Sequence, residues 1–125
     1  ITVRNKDSAF AAAIINRQKS EGYKLYTSSI NLVNIAYILK STYKVDNAKE
    51  LVESISKYIT ALPTSQSTIK KAFASNFKDF EDAAQYFTAV EAGVIDMIIT
   101  RDRKGFKESK IQVLNPMRFV KEHLA

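Results

Sequence analysis

Asp79, Glu81 and Asp82 crowd one short stretch of the chain, and Asp102 follows downstream at the end of the apolar run Met97-Ile98-Ile99-Thr100. Carboxylates gathered at one edge of a sheet offer hard oxygen donors, the ligand set that Mg²⁺ and Mn²⁺ take. A cation held in this way activates water and steadies the charge of an in-line phosphodiester displacement. Each acid also has an ordinary structural use. Asp79 is a good helix N-cap, worth about 1 kcal/mol. Glu81 and Asp82 in a first turn complement the helix dipole by about 0.3–1 kcal/mol each. Asp102 has Arg101 and Arg103 as neighbours for an ion pair. Metal chemistry therefore requires that the folded elements bring positions 79, 82 and 102 to one place.

In open α/β sheets ligands collect beyond the carboxyl ends of the strands, so the strands come first. Tyr23–Thr27 alternates with period two and is rich in aromatics, which predicts a short strand leading to Thr27, Ser28 and Ser29. Asp96–Thr100 reads as a buried central strand and Ile111–Leu114 as a further short one. Between them the caps and stops of helices are legible. Asp7 or Ser8 caps a first helix that ends at Gly22. Ser28 or Ser29 caps a second, whose broad stripe of Leu32, Val33, Ile35, Ala36 and Leu39 predicts a well-buried helix. Asp46 caps a third that should end near Leu62-Pro63, because the residue before proline avoids helical angles. Ser65 or Ser67 starts a fourth through Ile69, Ala72 and Phe73. Asp79 caps a fifth, with Phe80, Ala83, Ala84, Phe87 and Val90 as its core stripe and Gly93 as its stop. Asn115-Pro116 opens the last helix. Interleaved strands and helices predict an α/β domain with a mainly parallel central sheet flanked by helices, over residues 1–125 as a single domain.

Composition narrows the chemistry. The 125 residues include no Cys, which excludes a disulfide framework, a thiol nucleophile and Cys-ligated metal. The one His, His123, excludes a two-His zinc motif and suits a cation at a helix C-terminus. No phosphate-binding glycine loop, nucleophile elbow or dinucleotide fingerprint occurs. No apolar run reaches the ~20 residues of a membrane span, and no signal-peptide pattern opens the sequence, so a soluble cytoplasmic protein is expected. Lys and Arg number 19 against 13 Asp and Glu, a net charge of +6 that attracts polyanions and also serves solubility. Arg101, Arg103, Lys104, Lys107 and Lys110 form a basic loop around Asp102, as a phosphate backbone would require. Tyr26, Tyr37, Tyr43 and Tyr86 suit either base stacking or packing.

The string Asp79-Phe80-Glu81-Asp82-Ala83-Ala84-Gln85-Tyr86, followed by Ala89-Val90-Glu91-Ala92-Gly93 and Ile98-Ile99-Thr100-Arg101-Asp102, resembles the C-terminal half of PIN domains, which include the VapC-like toxins of toxin–antitoxin pairs. The segment Tyr26-Thr27-Ser28-Ser29-Ile30-Asn31-Leu32-Val33-Asn34-Ile35 is similar to the family's strand-to-helix segment, and Ile111-Gln112-Val113-Leu114-Asn115-Pro116 with Phe119 to its ending. The resemblance implies a three-layer PIN-like fold and a Mg²⁺- or Mn²⁺-dependent endoribonuclease that works as a homodimer and is blocked by an antitoxin. It places Asp82 at the family's third acidic position, Asp102 at the acid of Thr-Arg-Asp, and Asp79 at an additional acid just before the third. Asp82 and Asp102 are the implied metal ligands, and Asp79 assists them. Arg101, Arg103, Lys104, Ser28 and Asn34 are the implied substrate contacts.

Three positions depart from the family pattern. Asn34 stands where many PIN domains have a metal-site Glu, so an amide oxygen replaces a charged one. Gly105 stands where relatives often have an Asp before Phe. The opening strand with its Asp has no counterpart in Ile1 to Asp7, and the expectation is that it lies upstream of Ile1 or is missing. Two rivals to the nuclease follow. One is a catalytically degenerate PIN-like module that binds nucleic acid or a protein partner, which the three departures favour. The other is a receiver-like phosphate-binding domain, whose paired acids after the first strand are not visible.

Overall fold

Among the described residues, four strands of three residues each form parallel pairs. β1 (Tyr26–Ser28) pairs with β2 (Thr60–Leu62), with Thr27 opposite Ala61, and β3 (Met97–Ile99) pairs with β4 (Gln112–Leu114), with Ile98 opposite Val113. The structure, a computed structural model, describes residues 6–124, with side chains from residue 9 onward. Parallel neighbours need long crossovers. Helices α3 (Ser29–Ser41) and α4 (Ala48–Ser56) cross from β1 to β2, and α5 (Gln66–Ala74) and α6 (Phe80–Ala92) lead from β2 to β3. A loop with a single 3₁₀ turn, Lys104–Phe106, crosses from β3 to β4. α1 (Lys6–Asn16) and α2 (Gln18–Glu21) precede β1, and α7 (Pro116–Phe119) passes into a π-helical turn, Val120–Leu124. The α/β class and parallel pairing are those the sequence predicts. Among the described residues the strands lie in two two-stranded sheets.

Among the described residues, two apolar clusters hold these elements. Ile14, Leu114, Phe119 and Leu124 are buried together, with Tyr23, Leu25, Met97 and Ile99 against them. This cluster packs α1 and α7 together against the β3–β4 sheet. The second joins α5 to α6 through Ala72, Ala83 and Ala84, flanked by Ile69, Phe77 and Phe87. Alanines at this contact let the helices approach closely, since interaxial distance follows side-chain size.

Local chemistry sets the helix ends. Ser28 Oγ accepts from the amide of Asn31 to start α3, Asp79 accepts from that of Asp82 to start α6, and Asn115 accepts from that of Arg118 ahead of Pro116. Ser65 and Thr68 form a reciprocal capping box at α5. Gly22 (φ 78°) and Gly93 (φ 71°) close their helices in the left-handed conformation that glycine adopts without a Cβ penalty.

Several expectations are corrected. The third helix stops at Ser56, and Thr60–Leu62 pairs with β1 as a strand instead of continuing to Pro63. Asn47, not Asp46, occupies its N-cap position, with no side-chain capping bond. α3 has no buried residue, and Val33 and Tyr37 are 72% and 68% exposed. Phe73, Phe80 and Val90 also lie on the surface, Phe73 and Phe80 with their rings stacked 4.7 Å apart. The first helix breaks at Arg17, which separates α1 from α2. The proposed cap at Asp7 or Ser8 rests on side chains outside those described. Among the described residues, no helix is long and apolar enough to cross a membrane.

Candidate metal centre

Asp82 reaches the site from the first turn of α6, and Asp102 from the loop just beyond β3. Two local motifs shape that loop. The amide of Asp102 donates to Thr100 Oγ1 at 3.1 Å, and the amide of Gly105 donates to Asp102 Oδ1 at 3.2 Å. Phe106 then turns inward as a buried plug whose ring meets Phe77 edge-on at 6.1 Å. Phe77 packs in turn on Tyr86 and Phe87 of α6. Tyr86 is itself buried, and its hydroxyl accepts from the amide of Lys110 at 3.1 Å, which ties down the far end of the loop. The helix carrying Asp82 is thus bolted to the loop carrying Asp102.

The two carboxylates meet at Gly105. A Cβ built on this glycine would overlap Asp82 Oδ2, and it would fall 3.0 Å from Asp102 Oδ2. Asp82 is half-buried, and its carboxyl is raised above the ordinary aspartate range. Burial is the main cause, followed by the negative charges of Asp79, Asp102 and Glu81. Loss of solvent and crowded like charges both penalise the charged form of Asp82.

The remaining predicted residues divide between this place and others. Asp79 contributes charge to Asp82, while its Oδ1 caps α6 at 2.8 Å from the Asp82 amide. Arg103 and Lys104 are exposed beside the acids, and Arg101 is exposed on the same loop. Ser28 is buried as the cap of α3 and lines a shallow groove with Ile30, Phe80, Glu81 and Ala84. Asn34 is half-buried on α3 and makes no hydrogen bond to either acid. Among the described residues, no three Asp, Glu or His side chains converge into a cage for a metal ion. The donors that do converge are hard oxygens, and Mg²⁺ is commonly held by one or two carboxylates with water and substrate phosphates completing its shell. The residues present therefore fit such an ion.

Sequence reasoning missed the aromatic plug. Tyr86 is a packing and anchoring residue, and His123 stacks on Phe119 at 5.1 Å. The signal for the plug was the alternation of Phe77, Tyr86 and Phe106 around the acids, which spacing alone does not connect.

A family model for the PIN domain matches residues 1–104, most of the chain. The chain belongs to the PIN domain family, whose members have a nuclease-type fold and are in general dependent on divalent metal ions. No curated protein and no solved structure matches it.

Proposed function

We propose that the chain is a Mg²⁺- or Mn²⁺-dependent endoribonuclease, a VapC-like toxin that acts in the cytoplasm as a homodimer and is restrained by an antitoxin protein. The observation that carries this reading is the meeting of Asp82 and Asp102 at Gly105, from two elements of a PIN-family chain. In this reading Asp82 and Asp102 hold the ion, and Asp79 tunes their charge from the helix cap. The ion, when bound, supplies Lewis acidity and an activated water. Arg101, Arg103 and Lys104 draw in the RNA backbone and fix the scissile phosphate over the acids. Asn34 contacts the strand from α3, Ser28 supports that helix as its buried cap, and the net charge of +6 favours the encounter.

Cleavage of single-stranded RNA in Mn²⁺ tests the reading. Asp82→Asn and Asp102→Asn should each lower the rate by about 100-fold or more, on the scale of losing one transition-state electrostatic contact. Wild-type rates from both variants would overturn it. Arg103→Ala and Lys104→Ala should each weaken RNA binding and lower the slope of log K against log salt by roughly one. An unchanged slope would remove the loop from the interface.

A second reading has its own support. Only two carboxylates converge among the described residues, and Asn34 brings no charge. A degenerate PIN-like module that binds RNA or a protein without cutting would need no more. Its mark is RNA binding that is indifferent to millimolar Mg²⁺ or Mn²⁺.

A further inference from the structure

Gly105 is the residue through which both acids are arranged, although it has no side chain of its own. Its φ is not in the left-handed region, where Gly22, Gly93 and Lys44 are found among the described residues. The backbone here would therefore accept alanine, and replacing a glycine at a compatible position ordinarily favours the folded state. Space is what opposes it. A Cβ would overlap Asp82 Oδ2, lie 3.3 Å from Asp82 Cγ and 3.0 Å from Asp102 Oδ2. These are atoms of short side chains, which can swing aside while the fold stays intact. The amide of Gly105 meanwhile holds Asp102 Oδ1 at 3.2 Å, a bond that alanine would keep. Gly105 also lies just beyond the residues matched to the family.

We propose that Gly105 is a positioning residue of the metal centre: its bare Cα is the clearance that lets the carboxylates of Asp82 and Asp102 close on one divalent cation. The inference rests on the nuclease reading above for the identity of the ion. It assigns a cause to the glycine that the loop's conformation does not supply. An acid at this position would add charge but would push Asp82 out of the space it occupies. The chain instead keeps two carboxylates in place.

Calorimetric titration with Mn²⁺ alone, on the full chain, tests it. Gly105→Ala should bind Mn²⁺ roughly tenfold or more weakly, while its melting temperature without metal equals or exceeds that of the unsubstituted protein. In an Asp82→Ala background, where the obstructed carboxylate is gone, adding Gly105→Ala should change Mn²⁺ affinity by no more than about twofold. Wild-type affinity in Gly105→Ala overturns the inference, and so does an equal loss in both backgrounds. If Gly105→Ala fails to fold, the double variant decides: recovery of folding with Asp82→Ala supports the clearance, and continued failure overturns it. Absence of Mn²⁺ binding by the unsubstituted chain overturns the metal-dependent nuclease reading itself. Binding by the unsubstituted chain together with equal binding by Gly105→Ala overturns the glycine's role alone.

Discussion

The two ends of α6 treat their acids in opposite ways. Near its C-terminus, Glu91 accepts hydrogen bonds from Thr68 Oγ1 at 3.0 Å and from Ser65 and Ser67 at 3.4 Å, and it pairs with Lys71 at 3.3 Å. Its carboxyl is held below the ordinary glutamate range, first by the Thr68 hydroxyl and then by Lys71 and Ser65. At the N-terminal end, Asp82 is pushed the other way by burial and by Asp79, Asp102 and Glu81. Glu91 serves to join α6 to α5. Asp82 sits among unfavourable charges that a bound cation would relieve. One helix thus carries an acid whose charged form the fold favours and an acid whose charged form it disfavours.

The largest expected effect separates the two ends by function. Asp82→Asn should reduce metal-dependent RNA cleavage by about 100-fold or more, while Glu91→Gln should leave the rate within about twofold. Equal losses from both would dissolve the contrast. The next effect belongs to the satisfied end. Thr68 is fully buried, and its hydroxyl serves both the α5 capping box and Glu91. Thr68→Val should cost about 1–3 kcal/mol in urea unfolding, with no change in metal affinity. A stability change below about 0.5 kcal/mol would mean that this network contributes little.

A smaller difference should appear between two substitutions at one cap. Asp79→Ala loses the acceptor for the Asp82 amide and should cost about 1 kcal/mol. Asp79→Asn keeps an acceptor and removes a like charge beside Asp82, so its cost should be only a few tenths of a kcal/mol, ~0.3. It should also lower the pH at which Asp82 titrates, followed by carboxyl ¹³C shifts. Indistinguishable variants would show that charge at position 79 does not reach Asp82.

The smallest effect is a pair of opposite pH slopes in the metal-free protein. Folded Asp82 keeps its proton above the ordinary value of 3.8, so as pH rises from there through its raised pKa the folded state loses stability. Folded Glu91 gives up its proton below 4.5, so its contribution is present above that value and is lost as pH falls through the lowered pKa. Urea melts across this range should show Asp82→Asn removing the first slope and Glu91→Gln the second. Parallel curves for the two variants would contradict the assigned directions.

Much of this arrangement was legible before folding because it is encoded locally. Ser28, Ser65, Asp79 and Asn115 cap helices with their own side chains, and Gly22 and Gly93 end them. Thr60–Leu62 was not legible, because Ile55, Tyr58 and Ile59 continue the helical apolar pattern toward Pro63. Only pairing with Tyr26–Ser28, more than thirty residues away, makes it a strand. The exposure of Val33 and Tyr37 was hidden for a related reason: a stripe of apolar residues does not say whether anything packs on it. At the site, Asp79, Asp82 and Asp102 stood out as chemistry-bearing residues. Gly105 read only as a missing acid, since an absent side chain acquires meaning when its neighbours are known.

The buried ring of Phe106 has a further consequence for the cations beside it. Arg103 and Lys104 spring from a backbone pinned on one side by that ring and on the other by the Asp102–Gly105 hydrogen bond. Their Cα positions are thus set when the chain folds, and an arriving polyanion need immobilise only the two side-chain stems. Ordering a whole loop at the moment of contact would subtract far more from the affinity. The phenylalanine, itself uncharged and buried, preorganises a charged surface.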